Sequence, residues 1–284
     1  MTLENKISAY KAVLGELDFQ RIKNFVEKSY GIKLPLQKKI MVQGRLHKRL
    51  SETGIYNFSD YLDYVFSEKG KKSELLNMID ALSTNKTSFF REPHHFEFIK
   101  NTFIPQFVKT HHFKTVKAWS AGCSSGEEAY SLAMILNEAL QDSQRLGYSI
   151  FGSDISVKML QTARKAIYPI SYANDIPPYL RKKYVLKSKD PSKKLMRISQ
   201  ELRSHTLFNR LNFMENVYQT PYTFDIVLLR NVIIYFDKTT QNEVIRKVVE
   251  KMNKGAFLFL GHSETILNNT FKLKNVSPTV FQKI

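Results

Sequence analysis

The sequence has little of what marks secreted and membrane proteins. Its only cysteine is Cys123, so no internal disulfide can form in the 284 residues. No apolar run approaches the roughly 18 residues that a membrane-spanning helix needs, and the N-terminus lacks the apolar core of a signal peptide. Together these absences favour a cytoplasmic protein, although one cysteine by itself decides little.

Acidic residues are also scarce. The sequence has 43 Lys and Arg against 26 Asp and Glu, which gives a net charge of +17. Residues 28–51 carry seven basic side chains and no acidic one, and residues 157–205 carry 12 against three. Two such segments would attract a polyanion such as nucleic acid, an anionic membrane or an acidic protein surface. Solvated surface lysines are the alternative interpretation.

The first 82 residues have the apolar spacing of helices. Asp18 looks like the N-cap of a first helix, residues 31–35 interrupt the pattern, and Gln37 to Leu50 resume it. Residues 58–66 and 74–82 are two shorter helical segments. We therefore predict a small all-helical domain over 1–82. Within the second helix, the spacing predicts one shared basic face, made of Lys38, Arg45 and Arg49.

From residue 114 onward, strands alternate with helices. The predicted strands are 115–120, 148–153, 224–229 and 256–261, and the predicted helices are 126–141, 156–166 and 239–253. This alternation is typical of a parallel sheet with crossover helices. Residues 168–213 do not fit it. Because two short strand-like segments there, 183–187 and 195–198, flank a polar turn, they predict an inserted hairpin.

A small-residue loop at the end of the first strand is the strongest sign of a ligand site. The stretch WSAGCSSGEEAY (residues 119–130) contains Gly122 and opens a helix, so a ligand could approach backbone N–H groups there. Asp154 ends the second strand, where a Rossmann-like site would hold ribose hydroxyls. The strict G-x-G-x-x-G is absent, which favours a Rossmann-like methyltransferase over a dehydrogenase. A simple turn, with Glu127 and Glu128 only matching the helix dipole, is the alternative.

Two further segments carry polar groups in places that suit a site. The first, STNKTSFFR (residues 83–91), could be a lid that presents Arg91 to an anion, or a capping segment with its two phenylalanines in the core. The second, RNVIIYFD (residues 230–237), follows the strand 224–229, where open α/β sheets bind ligands. Asn231 and Tyr235 are the candidates there, although a tyrosine in this position is more often part of the core.

At these residues the chain closely resembles the chemotaxis receptor methyltransferases, the CheR family. The matching motifs are TNKTSFFREPHHF (84–96), WSAGCSSGEEAYSLA (119–133), SDISVKMLQTARKAIY (153–168), FDIVLLRNVIIYFDKTTQ (224–241) and FLGHSET (259–265). Several motifs in the same order over nearly the full length are more specific than any one of them.

The resemblance implies a function and a set of site residues. It implies transfer of a methyl group from S-adenosylmethionine to glutamate side chains of bacterial chemoreceptors, leaving S-adenosylhomocysteine. Arg91 and Tyr235 would lie beside the reacting centre. The implied cofactor contacts are Asn85, Thr87, Arg91, Gly122, Glu128, Asp154, Asn212, Phe213, Arg230 and Asn231. The family's basic N-terminal helix matches Gln37 to Leu50, so Lys38, Arg45 and Arg49 would contact the receptor.

The expected architecture follows from the same comparison. We expect an α/β protein with a Rossmann-like methyltransferase domain at 114–284, a small inserted antiparallel β subdomain at about 170–210, a linker and cofactor-covering segment at 83–113, and the all-α domain in front. We expect a monomer, without a metal site, nucleic-acid partner or membrane insertion, recruited in the cytoplasm to receptor arrays at the inner face of the membrane. The rival classes are a nucleic-acid methyltransferase and a non-catalytic S-adenosylmethionine-binding regulator.

Overall fold

A computed structural model describes residues 9–110, 114–141, 146–266 and 271–284. The chain divides into two compact units. The first comprises Met1–Thr84, as far as it is described, with Asn212–Met214 and Tyr235–Thr240, and the second comprises Asn85–Leu211, Glu215–Ile234 and Gln241–Ile284. Residues 1–8 of the predicted helical domain and 111–113 of the predicted linker lie outside the described residues.

The first unit is helical. We number its helices α1 (Glu16–Tyr30), α2 (Lys39–Thr53), α3 (Phe58–Phe66), α4 (Glu68–Lys71) and α5 (Glu74–Leu82), and a 3₁₀ turn at Leu36–Lys38 leads into α2. Each of the longer helices buries an apolar stripe, as Phe19, Ile22 and Val26 do on α1. The predicted N-cap at Asp18 is wrong. The helix begins at Glu16 with Gly15 as its N-cap, and Asp18 lies in the first turn, where a carboxylate also matches the dipole.

The second unit contains a seven-stranded sheet. Its strands are β1 (Val116–Ala121), β2 (Tyr148–Asp154), β6 (Thr206–Arg210), β7 (Phe224–Leu229), β8 (Met252–Leu260), β9 (Leu273–Ser277) and β10 (Val280–Lys283). Their order is β6-β2-β1-β7-β8-β10-β9, with β10 antiparallel to both its neighbours and the other pairs parallel. The chain moves outward from β1 to one side and from β7 to the other. The order therefore reverses between β1 and β7, where open α/β sheets bind ligands.

Helices connect the strands and cover the sheet. They are α6 (His94–Phe98), which continues through a π-helical turn at Ile99–Phe103 into α7 (Ile104–Thr110), then α8 (Glu127–Leu140), α9 (Val157–Lys165), α10 (Pro178–Tyr184), α11 (Gln200–Ser204) and α12 (Lys238–Glu250). Helix α8 is buried on nearly every side. Its Asn137 donates hydrogen bonds to the Tyr184 hydroxyl at 2.8 Å and to Glu201 at 2.9 Å, which ties α8 to α10 and α11.

A second, three-stranded antiparallel sheet lies between α9 and α11 in the sequence. Its strands are β3 (Ile167–Pro169), β4 (Val185–Lys187) and β5 (Leu195–Ile198), in the order β3-β5-β4. The predicted hairpin is present as β4 and β5, and β3 was not predicted. Strand β6 falls inside the predicted insertion but pairs with β2 in the main sheet. Only Phe208 of β6 is buried, so the segment lacks the apolar run of an inner strand.

The predicted fold class is confirmed. The chain combines a helical N-terminal unit, a Rossmann-like α/β unit and a small antiparallel β sheet inserted within it. Among the described residues, no helix combines the length and apolar character that crossing a membrane requires.

Candidate active site at the strand ends

The loops that follow β1 and β7 meet at the point where the strand order reverses. Gly122, just after β1, has a φ of +85°, which favours glycine. A Cβ atom there would lie 2.4 Å from a methyl carbon of Val232, in the loop after β7. Gly122 is therefore required for the close approach of the two loops, which is a packing reason for the glycine beside its predicted contact with the cofactor.

Asp154 holds the loop after β1 in place. One of its carboxylate oxygens accepts a hydrogen bond from the Ser124 backbone N–H at 2.8 Å, and the other accepts from the Ser156 N–H at 2.9 Å. The side chain is buried at the end of β2. A carboxylate can accept about four hydrogen bonds, so holding the loop is compatible with the predicted contact to ribose hydroxyls.

Glu127 and Glu128 begin helix α8 and have different partners. Glu128 accepts from the Ser120 hydroxyl at 2.6 Å and from the Arg230 Nε at 2.7 Å. Glu127 accepts from the Ser125 hydroxyl through both of its oxygens, and burial raises the pKa of its carboxyl. Glu128 thus shares its charge with a buried arginine, whereas Glu127 is bonded to the loop that precedes it.

Arg230 is the centre of a buried polar cluster. Its side chain is only 2% exposed, and its guanidinium lies 5.4 Å from the centre of the Phe96 ring. Besides Glu128, it contacts the Nδ1 atom of His95 at 2.9 Å and a carboxylate oxygen of Glu92 at 3.6 Å. That oxygen of Glu92 is buried and accepts no hydrogen bond from the described residues. Sequence reasoning named Arg230 but not Glu92 or His95, although both lie in the FFREPHHF motif.

The hydrogen bonds of His95 assign its tautomer. Burial, with a further contribution from Arg230, lowers the pKa of His95 to about 3, so the ring is neutral. Because the Arg230 guanidinium can only donate, the His95 Nδ1 atom must accept from it. The Nε2–H group then donates to the Thr279 hydroxyl at 2.8 Å, and that hydroxyl donates to the Pro278 carbonyl oxygen at 2.7 Å.

Four residues in or beside these loops have strained backbone. Phe90, Glu92, Ser124 and Asn231 all have φ between +48° and +59°, which is uncommon for residues other than glycine. The Asn231 side chain donates to a Glu92 oxygen at 3.3 Å, and its backbone N–H donates to Glu264 at 2.8 Å. Positive φ values of this kind persist where surrounding contacts impose them, and they occur most often at functional sites.

The segment before α6 packs against the loop after β1 and against helix α8. The Asn85 carbonyl oxygen accepts from the Ser124 hydroxyl at 3.1 Å, and the Phe90 N–H donates to the Ser131 hydroxyl at 2.9 Å. Phe89 is 2% exposed, so the core-packing interpretation holds for that residue. Its backbone nevertheless lies beside the loop that the sequence predicts to bind the cofactor.

Two predicted site residues of this segment, Thr87 and Arg91, lie outside the core. Thr87 is half-buried, and Arg91 is also half-buried. The Arg91 guanidinium donates to the Lys86 carbonyl oxygen at 2.9 Å. The Arg91 side chain therefore folds back onto the backbone of its own segment at Lys86. Its role as a clamp for a substrate carboxylate stays a prediction.

Three predicted site residues belong to the first unit. The Asn212 side-chain amide donates to the Ser29 carbonyl oxygen at 2.8 Å. Phe213 lies edge-on to Phe236 at 6.4 Å between ring centres. The Tyr235 carbonyl oxygen accepts from the Lys33 N–H at 2.9 Å. The other predicted cofactor contacts lie in the second unit.

The predicted basic face of the second helix is present only in part, because Arg45 and Arg49 lie on α2 but have partners within the first unit. Lys38 lies in the 3₁₀ turn before α2, not on the helix. Arg45 donates to the Leu82 and Ser83 carbonyl oxygens at 2.7 and 3.1 Å, and therefore caps the end of α5. Arg49 is 16% exposed and forms a two-pronged ion pair with the buried Glu74, at 2.8 and 2.6 Å. Helical periodicity could not reveal these partners, which are 25 or more residues away in sequence.

The fold and the strand-end loops define a doubly wound α/β protein with a site for a nucleotide-type cofactor. Comparison with known proteins is more specific. The family model for the CheR methyltransferase SAM-binding domain matches residues 85–281, and the model for the CheR methyltransferase all-alpha domain matches residues 17–83. The chain belongs to the CheR methyltransferase family.

Curated relatives agree with this assignment over most of the chain. The chemotaxis protein methyltransferase of Borreliella burgdorferi is 34% identical over 270 residues, covering 94% of each chain. The protein of the same name from Salmonella typhimurium is 35% identical over 258 residues, covering 91% of this chain and 87% of the relative. The Escherichia coli protein is 34% identical over 266 residues, covering 93% and 90%.

The protein is therefore an S-adenosylmethionine-dependent methyltransferase, as predicted. The residues present fit that cofactor. Buried carboxylates of Asp154, Glu127 and Glu128 surround the loop after β1 and can accept from ribose hydroxyls and from an ammonium group. Which side chains make these contacts stays a prediction.

Proposed function

We propose that this protein transfers the methyl group of S-adenosylmethionine to glutamate carboxylates of bacterial chemoreceptors, forming methyl esters that serve chemotactic adaptation. The observation that carries the proposal is the match, over nine-tenths of the chain, to chemotaxis protein methyltransferases. The glutamate side chain as acceptor rests on the resemblance of the motifs, and the chemistry of the site is compatible with it.

The reaction needs positioning more than it needs a base. A glutamate carboxylate has an ordinary pKa near 4.3, so the acceptor is already ionised at neutral pH. The bound cofactor supplies a methyl group on a positively charged sulfur. In-line attack requires the carboxylate oxygen at about 3–3.5 Å from that methyl carbon. The protein must therefore strip water from the carboxylate and hold it in line.

Of the two arginines in the candidate site, Arg91 is the better clamp for the substrate carboxylate. Arg230 is almost fully buried, and Glu128 already neutralises its charge. Arg91 is half-buried and is bonded to a neutral carbonyl oxygen, and a guanidinium has five N–H donors. It can therefore present a planar pair of donors to a carboxylate. The resemblance implies that Tyr235 lies near the transferred methyl group, and this role stays a prediction.

The remaining site residues would hold the cofactor. Asp154 would accept from the ribose hydroxyls, and the carboxylates at the start of α8 would accept from the ammonium group. Arg230 and Asn231 would line the site from the loop after β7. The Glu128–Arg230 pair would fix the loop after β7 against the start of α8, because its Nε and carboxylate oxygen are 2.7 Å apart.

The positive charge of the protein suits an acidic partner. Each turnover converts a charged carboxylate to a neutral ester, so an acidic receptor helix loses one negative charge. Basic residues such as Lys38 and Arg45 of the first unit, with those of the inserted subdomain, would speed the encounter more than they tighten binding. We further propose that the protein acts as a monomer in the cytoplasm and is recruited to receptor arrays at the inner face of the membrane.

Transfer of label from methyl-tritiated S-adenosylmethionine to receptor-containing membranes tests the proposal. We expect incorporation that mild alkali releases as volatile methanol, because carboxyl esters are labile to base. Membranes from a strain that lacks receptors serve as the control. Alkali-stable label, or label on added DNA or RNA instead of receptor, would reject the proposal in favour of amine or nucleic-acid methylation.

A further inference from the structure

Glu264 has an unusual set of partners in the candidate site. It is 4% exposed, and its carboxylate accepts hydrogen bonds from four backbone N–H groups. One oxygen accepts from Asn231 at 2.8 Å and from Gly261 at 2.7 Å. The other accepts from Val232 at 2.8 Å and from Ile233 at 2.9 Å. Because all four partners are donors, the side chain is bound as a carboxylate.

Three of these donors are consecutive residues of the loop after β7. Successive N–H groups that point to one place form a concave site that binds anions. Here the occupying anion is the chain's own Glu264. Asn231, the first of the three, has a φ of +59°, a conformation that costs free energy unless surrounding contacts impose it. The carboxylate therefore imposes the shape of the loop that carries Arg230 and Asn231.

The sequence next to Glu264 is adapted to this arrangement. A Cβ atom on Gly261 would lie 2.5 Å from the Asn231 side-chain nitrogen and 2.9 Å from a Glu264 oxygen. Only glycine at position 261 lets the end of β8 approach the loop closely enough for its own N–H to reach the carboxylate. Gly261 and Glu264 therefore act together in holding the loop after β7.

We propose that Glu264 is a positioning residue for the methyltransferase, which holds the loop after β7 in the shape that binds the cofactor. The inference rests on the proposed roles of Arg230 and Asn231 in cofactor binding. Glu264 itself contacts backbone and need not touch the cofactor. Its effect would pass through the loop, in the way that groups behind a site orient the groups within it.

A merely stabilising role makes a different prediction, and the chain offers a matched control. Glu74 is also 4% exposed and accepts from Arg49 and from the Tyr61 hydroxyl, but it lies in the first unit. Glu264→Gln and Glu74→Gln each replace a buried carboxylate by an amide of the same shape. In Glu264→Gln, either orientation of the amide turns an NH₂ group toward two backbone N–H donors.

The test is calorimetric affinity for S-adenosylhomocysteine at a temperature where circular dichroism shows each variant folded. We expect Glu264→Gln to bind at least tenfold more weakly than wild type and Glu74→Gln to bind within twofold of it, although both lose thermal stability. The backbone amide proton signals of Asn231, Val232 and Ile233 should move upfield in Glu264→Gln, because they lose hydrogen bonds to a charged acceptor.

A second variant keeps the test decisive if Glu264→Gln does not fold. Gly261→Ala retains the carboxylate but forces the loop away, and it should weaken S-adenosylhomocysteine binding in the same direction. Affinities within twofold of wild type for the folded variants would overturn the inference. A wild type that binds S-adenosylhomocysteine but does not methylate receptors would overturn the proposed substrate and leave this comparison intact, since the readout is binding alone.

Discussion

The two units of the protein each contain a buried arginine–glutamate pair, and the two pairs differ in their surroundings. Arg49 and Glu74 join helices α2 and α5, with the Tyr61 hydroxyl on the same carboxylate. Arg230 and Glu128 join the end of β7 to the start of α8, and Glu92 and His95 lie against the same guanidinium. The first pair lies between regular helices, whereas the second lies beside two residues with positive φ, Glu92 and Asn231.

The comparison shows that burial and charge do not distinguish a structural ion pair from one in a site. Both arginines have side chains that are at most 16% exposed, and both pair with a buried carboxylate. What differs is the position at the reversal of strand order and the strained backbone there. These features are the reason for proposing the Arg230 cluster as part of the cofactor site, whereas the Arg49 pair connects two helices.

The largest expected effect separates the two pairs directly. Arg230→Met and Arg49→Met should each lower the free energy of unfolding by about 3–5 kcal/mol, because each leaves a buried carboxylate without its partner. Only Arg230→Met should also weaken S-adenosylhomocysteine binding, by more than tenfold. Urea unfolding and calorimetry measure the two quantities. Equal loss of cofactor affinity in both variants would erase the distinction.

Asp154→Asn tests the other side of the cofactor site. The amide can still accept on one side, but its NH₂ group would face a backbone N–H of the loop or a ribose hydroxyl. Losing a hydrogen bond to a charged acceptor costs about 1.5–3 kcal/mol, so we expect S-adenosylhomocysteine to bind about 10- to 100-fold more weakly. Adenine, which lacks the ribose, is the control ligand, and an equal loss for both ligands would mean that Asp154 acts through the loop alone.

His95, which lies against Arg230 in the second unit, gives the stability of the protein a pH dependence. Folding lowers the pKa of His95 from an ordinary 6.5 to about 3. Between these two values the ring is protonated in the unfolded chain but stays neutral in the folded protein. Stability should therefore fall with pH, by about 2 kcal/mol between pH 7 and 5 from this residue. His95→Gln keeps a hydrogen-bond acceptor and a donor but does not titrate. The variant should therefore lose about 2 kcal/mol less stability than wild type between pH 7 and 5. Parallel unfolding curves for the two proteins at both pH values would contradict the assigned neutral ring.

The smallest effect in free energy concerns Arg91, the accessible arginine. Arg91→Lys keeps the charge but not the planar pair of donors. We expect kcat for receptor methylation to fall about tenfold, or about 1.4 kcal/mol, with S-adenosylhomocysteine affinity within about twofold of wild type. A kcat within twofold of wild type would show that Arg91 does not clamp the carboxylate.

The elements with strong local patterns could be predicted from the sequence. Strands β1, β2 and β7 are apolar runs bounded by turn residues, and Asp154 follows directly from its place at the end of β2. Strands β6, β9 and β10 were missed because few of their side chains are buried, so their sequences lack a continuous apolar run. Their pairing depends on neighbours that the local sequence does not contain.

The contacts inside the site could be predicted only in part. Gly122, Glu128 and Arg230 were named, but the Glu128–Arg230 pair spans 102 residues and the His95–Thr279 hydrogen bond spans 184. No local periodicity reports such a contact. The same limit applies to Arg49. Helical spacing placed it on a basic face but could not show its ion pair with the buried Glu74. The sequence motifs therefore indicated where the candidate site lies. Which of its side chains are paired with each other could be seen only in the fold.

The most direct test of the central claim is the location of the methyl group on the product. Tandem mass spectrometry of a receptor cytoplasmic fragment, incubated with the protein and S-adenosylmethionine, identifies the modified side chain. We predict a single added methyl on glutamate carboxylates, absent without the cofactor and released by mild alkali. A methyl group on lysine, on arginine or on a terminal amine, or an unmodified fragment after prolonged incubation, would contradict the account.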